Sequence, residues 1–120
     1  MKHNLGDRER ILHIYDSIEK IEFFLENINL EDFNQNIEKI AAVERMLEII
    51  GEATNHLSED ILNNSKYSSP WRKIIATRNI IIHEYFNVDN KVIYQTAKND
   101  IIPLKKDIEI ILKDLDQYLK

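Results

Sequence analysis

The chain has no cysteine, only two glycines and two prolines, and no apolar run near the roughly 20 residues that cross a bilayer. Without cysteine there are no disulfides, thiolate nucleophiles, zinc ribbons or iron–sulfur clusters, which fits a reducing cytosol. Glycine is confined to Gly6 and Gly51, so a glycine-rich phosphate loop is excluded too. The start, Met1-Lys2-His3-Asn4-Leu5-Gly6-Asp7, lacks the apolar segment of a secretion signal. A cytoplasmic protein with no membrane contact is expected. The four histidines, His3, His13, His56 and His83, are scattered, and His83-Glu84 lacks the second histidine of the zinc-protease pattern. Neither a metal site nor a cofactor is expected.

What is present is 120 residues, 43% of them apolar, enough for one domain over 1–120 with a core of its own. The net charge of −5 argues against a polyanionic partner, but it is unevenly spread. Residues 1–60 hold 14 acids and 6 bases, a balance of −8; residues 61–120 hold 7 acids and 10 bases, a balance of +3. No acid occurs from Ile61 through His83, whereas Lys66, Arg72, Lys73 and Arg78 all do. A positive field centred on this run and a chance cluster on a solvated face both account for it.

Hydrophobic spacing is helical throughout. Ile11, Ile14, Ile18, Ile21, Leu25 and Ile28 step by three and four, predicting a helix over about 8–28 with Asp7 as its cap. Residues 27–36 read as a connection holding one short turn. A second helix is predicted over about 35–57, its apolar half-circumference facing more than one neighbour. Its other side carries Glu44, Glu48 and Glu52 at steps of four, read either as a solvated acidic row or as support for a site or subunit contact. Gly51, mid-helix, costs about 1 kcal/mol relative to alanine and points to close approach of another backbone. After a polar loop with one turn near 60–64, Ser69-Pro70 reads as a cap and first turn of a third long helix ending at Asn87. Asp89 caps a shorter helix to about Asp100, and Pro103 breaks or restarts the pattern. Leu104, Ile108, Ile111, Leu115 and Tyr118 then repeat the rhythm of the first helix. The expected fold is an all-α, up-down bundle of four long helices plus one or two short ones.

The chemistry concentrates in Arg78-Asn79-Ile80-Ile81-Ile82-His83-Glu84-Tyr85, which offers a permanent cation, an imidazole and a phenol. On a helical wheel Trp71, Arg78, Ile81, Ile82 and Tyr85 fall within about 100° of Ile74, while His83 points to the opposite side. Arg78 on an apolar face must find an anion, and an internal pair with Glu44, Glu48 or Glu52 satisfies that need. Arg78 and His83 diverge by about 140° in a straight helix. For them to act together, either the helix distorts near Asn79 or a second copy completes the site across a two-fold axis.

The spacing Arg78-x4-His83-x-Tyr85 resembles the signature of the HEPN family, and more closely its HepT-like branch, toxin partners of a minimal nucleotidyltransferase. The resemblance runs from about Ala41 to Leu115. Its further landmarks are Ala42 with Arg45 and Leu47, Ile49-Ile50-Gly51-Glu52-Ala53, Leu57-Ser58, Trp71 with Ile74, Tyr85-Phe86 and Pro103-Leu104. It implies a homodimeric, metal-independent endoribonuclease of a toxin–antitoxin pair, with its active site formed between two subunits. His83 is then the proton-transfer group, Arg78 the phosphate stabiliser and Asn79 an orienting group, with Glu44, Glu48, Glu52 and Lys73 as candidate supports. The resemblance also implies that Tyr85 accepts adenylyl groups from the cognate nucleotidyltransferase antitoxin. Residue by residue, plainer roles stand beside these: capping or solvent contact for Asn79, core packing for Tyr85. A different class of function, a non-catalytic helical module that binds nucleotide or scaffolds the nucleotidyltransferase, fits the acidic total. Steep salt dependence of RNA binding distinguishes a charged site from an apolar protein contact.

Overall fold

The computed structural model describes residues 6–118, with backbone alone for 117 and 118. Met1 to Leu5 and the Tyr118 side chain, both used in the sequence reading, lie outside the described residues. The protein is an all-α helical bundle, and no strand occurs among the described residues.

Helix α1 (Asp7–Leu25) is the central rod: Ile11, Ile14, Ile18, Ile21 and Leu25 are each at most 2% exposed. Its cap is Gly6 rather than Asp7, and the Gly6 N–H donates to Glu9 Oε1 at 2.9 Å. Asp7 has a distant partner instead. Its carboxylate accepts from the Ser58 N–H at 2.9 Å and the Ser58 hydroxyl at 2.7 Å, tying the start of α1 to the residue that precedes a short helix at Glu59–Leu62. After α1 the backbone turns through Asn27, whose φ of 60° is one asparagine tolerates. Helix α2 (Leu30–Asn34) then plugs fully buried Phe33 into the core.

Helix α3 (Ile37–Asn55) starts where Asn36 Oδ1 accepts from the Lys39 N–H at 3.0 Å. The turn at Glu59–Leu62 is α4. Helix α5 (Trp71–His83) follows, with Pro70 in the cap position one residue later than the sequence suggests. Ser69 is occupied elsewhere. Buried Asp107 accepts from the N–H groups of Ser68 (3.0 Å) and Ser69 (2.8 Å) and from the Ser69 hydroxyl, fixing where α5 begins.

Helix α5 ends at His83, not at Asn87. Side chains from Ile82 through Asn87 are exposed, so no burial stabilises a further turn; the Asn87 N–H closes a tight 3-10 turn on the Glu84 carbonyl at 2.8 Å. Asp89 does cap the next helix, α6 (Asn90–Gln95), accepting from the Lys91 N–H at 2.9 Å. The expected break at Pro103 is absent. The chain passes from α6 through a π-helical turn, Thr96–Asp100, directly into α7 (Ile101–Tyr118). Proline lacks an N–H and crowds the carbonyl one turn back, and the wider turn just before it absorbs that mismatch without ending the helix.

Helix α1 packs on both α3 and α7, and α3 also packs on α5, giving the order α7, α1, α3, α5 across the bundle. The tightest point is between α3 and α5. A Cβ on Gly51 would lie 2.2 Å from Arg78 Cβ, 2.8 Å from Arg78 Cγ and 3.3 Å from the Ile74 carbonyl oxygen. A Cβ atom moves only with its backbone, so the two helices would have to separate.

Gly51→Ala is therefore expected to destabilise the fold. Overpacking costs about 1–3 kcal/mol, which outweighs the roughly 1 kcal/mol that alanine contributes to helix propensity. Urea unfolding measures the balance, and a variant as stable as the native chain would contradict this close contact.

Candidate active site

Helix α5 is unbroken from Trp71 to His83, so no distortion at Asn79 brings Arg78 and His83 together. Five residues apart, they are separated by about 7.5 Å along the axis and about 140° around it. Arg78 turns toward α3, while His83 is exposed at the end of its helix.

The Arg78 side chain is 22% exposed, so it requires partners, and the structure supplies two. Its Nη2 meets Glu52 Oε1 at 2.9 Å, and its Nη1 donates to Asn79 Oδ1 at 2.8 Å. Glu52 is thus the glutamate that pairs with Arg78. Its other oxygen, Oε2, lies 3.1 Å from His56 Nε2, so one carboxylate spans two side chains. A guanidinium has five N–H groups, and these contacts use two. With Nε buried and without an acceptor among the described residues, one N–H remains on each terminal nitrogen. Those two remain available to donate to phosphate oxygens.

The other proposed supports sit differently. Glu48 lies 3.5 Å from Arg45 and lines the same cleft as Arg78. Glu44 has no cationic partner among the described residues; burial, and then the Glu48 carboxylate, push its carboxyl above the ordinary value. Lys73 is held by Asp100 at 2.9 Å, away from Arg78. Tyr85 is not on the α5 face that the wheel assigned it. It lies in the 3-10 turn, 77% exposed, with its ring edge-on to Phe86 at 5.7 Å. The core-packing alternative for Tyr85 is thereby overturned.

The acid-free run is less positive in space than in sequence. Lys66 pairs with Asp114 at 2.8 Å, Lys73 with Asp100 and Arg78 with Glu52, which leaves Arg72 without an ion pair among the described residues. New cations compensate at Arg78. A cleft of about 350 Å³ opens beside it, walled also by Arg10 and His13 of α1 and Arg45 of α3. Neither Arg10 nor His13 is among the site residues expected from the sequence. Their i, i+3 spacing off the buried stripe of α1 is the local signal, but only the packing of α1 on α3 directs that face toward α5.

The assembly is a helical bundle that presents an oriented arginine and, five residues on, an exposed histidine. Comparison with known proteins gives the same class. The family model described as Ribonuclease HepT-like matches residues 14–111, and the chain belongs to that family. It is 40% identical over 100 residues to the "Probable ribonuclease HepT" of Thermococcus cleftensis, covering 83% of this chain and 90% of the relative. It is 34% identical over 111 residues to a Methanocaldococcus jannaschii protein named as a candidate RNase, covering 89% of this chain and all of the relative. A candidate RNase of Caldanaerobacter subterraneus is 36% identical over 100 residues, 80% of this chain and 88% of the relative. No solved structure matches.

The raised Glu44 carboxyl carries a pH signature. The folded state holds the proton more tightly than the unfolded chain, so this contribution to stability is present below the ordinary glutamate value, about 4.3, and is lost as pH rises through the higher folded value. Glu44→Gln is expected to raise Tm at pH 7, with the gain vanishing below about pH 4. A variant that melts lower than the native protein at pH 7 would show that the ionised carboxylate is stabilising.

Proposed function

We propose that the protein is the toxin of a toxin–antitoxin pair, a metal-independent endoribonuclease whose active site is completed across a two-fold dimer. The observation that carries this reading is the geometry of α5: Arg78 and His83 diverge on an undistorted helix, yet both are polar groups suited to phosphoryl transfer. A second copy across a two-fold axis completes the site, the His83 of one subunit serving the Arg78 of the other. His83 takes the proton from the ribose 2′-hydroxyl, the 2′-oxygen attacks phosphorus, the bond to the 5′-oxygen breaks, and that oxygen takes a proton from water. The products are a 2′,3′-cyclic phosphate and a 5′-hydroxyl. Arg78 stabilises the charge gathering on the phosphate, and Asn79 and Glu52 hold its plane. DNA lacks the attacking hydroxyl, so the substrate is RNA. The HepT-like family, with relatives named as ribonucleases, supports the reaction class. The toxin reading places the protein in the cytoplasm.

Tyr85 supplies the control point. A phenol with 77% exposure in a turn just past His83 is open to another enzyme. Its oxygen attacks the α-phosphorus of a nucleoside triphosphate bound to the nucleotidyltransferase antitoxin, pyrophosphate leaves, and a nucleoside monophosphate remains on the ring. The added negative charge and bulk then exclude RNA from the neighbouring cationic site.

End-labelled RNA incubated in EDTA with the purified, unmodified protein should yield 2′,3′-cyclic ends. Folded His83→Ala should lose at least about 100-fold in rate, the lower range for general acid–base catalysis. No cleavage by protein shown by mass to be unmodified would shift the reading to a non-catalytic binding module. After co-expression with the antitoxin, mass spectrometry should place adenylyl groups on Tyr85; a Tyr85→Phe protein modified to the same extent would move the acceptor elsewhere.

A further inference from the structure

The cleft beside Arg78 is built from three helices. Arg10 and His13 come from α1, Arg45 from α3 and Arg78 from α5, and all line one space of about 350 Å³, within the usual size range of small-ligand sites. Two acids share it, and both are engaged: Glu48 with Arg45 at 3.5 Å and Glu52 with Arg78 at 2.9 Å. Arg10 makes no ion pair among the described residues. Three guanidiniums against two carboxylates leave the cleft with a net positive charge even when His13 is neutral. The rest of the lining is apolar, from Ile49, Ala53 and Ile82.

A cationic wall over an apolar floor matches a nucleotide: phosphate oxygens on the guanidiniums, the flat face of a base or sugar on the aliphatic side chains. An acidic peptide would satisfy the cations but leave the floor unused. An apolar helix would strand Arg10 without a partner.

We propose that Arg10, His13 and Arg45 form a nucleotide subsite contiguous with Arg78, which seats the RNA nucleotide next to the cleaved bond. The proposal rests on the ribonuclease reading. The strand then crosses α3 from α5 toward α1, and these residues position the substrate without touching the reacting atoms. Contacts that hold ground state and transition state alike lower KM and leave kcat nearly unchanged, which separates this role from that of His83.

The test uses the full-length protein and a 2′-O-methyl oligoribonucleotide, which binds but lacks the attacking hydroxyl. Its affinity is measured by fluorescence anisotropy over a salt series, with 5′-AMP titrated in parallel. Cleavable RNA supplies KM and kcat. The Arg10→Gln/Arg45→Gln double variant should bind the oligomer at least about tenfold more weakly. Its salt slope should fall by about 1.4, two lost single-strand phosphate contacts at about 0.7 each. KM should rise with kcat retained, and Arg10→Lys/Arg45→Lys should recover much of the affinity. Lys105→Gln, on α7 and paired with Glu22, should match the native protein. Matching melting curves exclude misfolding as the cause. Unchanged oligomer affinity and KM in a double variant that still cleaves would overturn the subsite alone. Loss of 5′-AMP binding with the oligomer unaffected would make the cleft a free-nucleotide site and equally overturn it. A native protein that neither binds nor cleaves RNA would overturn the nuclease reading, and the subsite with it.

Discussion

The contact between Gly51 and Arg78 is the constraint on which the site depends. Because position 51 has no side chain, α5 lies against α3 closely enough that any Cβ there would overlap the stem of Arg78. That approach sets the separation of the two helices and brings the guanidinium within 2.9 Å of Glu52, the next residue along α3. A glycine within a helix is unfavourable on local grounds, so its presence reflects the packing it permits. One backbone position thus couples the stability of the bundle to the aim of its principal cation.

Around that contact, charge is distributed in pairs that fix one element against another. Asp7 holds the residue before α4 to the start of α1, Asp107 holds the residues before α5 to α7, and Lys73 with Asp100 joins α5 to the π turn. Each acid meets hydrogen-bond donors or a cation far away in sequence. Glu44 is the exception in its row: Glu48 and Glu52 have arginines, Glu44 has none among the described residues, and burial, then the Glu48 carboxylate, makes its carboxyl harder to ionise. The three glutamates look equivalent on a helical wheel. What separates them is that Glu52 faces Arg78 across the helix contact, Glu48 meets Arg45 on its own helix, and Glu44 is partly buried with neither.

This difference explains how much was legible in the sequence. The buried stripe of α1, the cap at Asp89 and the close approach at Gly51 follow from local periodicity or from the chemistry of one residue, and local rules suffice for them. The identity of Glu52 as the partner of Arg78 needed the axial register between two helices, which spacing does not encode. Tyr85 was misplaced for a related reason. Ile81, Ile82 and Tyr85 keep a helical rhythm, but the helix stops where burial stops, at the exposed side chains after Ile81. Asp7 fits a cap on local grounds, and its actual partner is 51 residues away. Arg10 and His13 carry only their i, i+3 spacing as a local signal, because they become neighbours of Arg78 through packing in the order α1, α3, α5.

The total charge of −5 conceals the field that a bound anion would meet. At physiological ionic strength charges are screened over about 8 Å, whereas the molecule is 47 Å long, so acids at the far end contribute little at the cleft. What counts is the local set, three arginines against two glutamates that are already engaged. Counting charge along the chain erred in both directions. It credited Lys66 and Lys73 with a field that Asp114 and Asp100 cancel, and it assigned Arg10 and Arg45 to an acidic half whose other members mostly point elsewhere. An acidic protein can therefore present a cationic site, and the fold, by choosing which acids come near which bases, determines where that site lies.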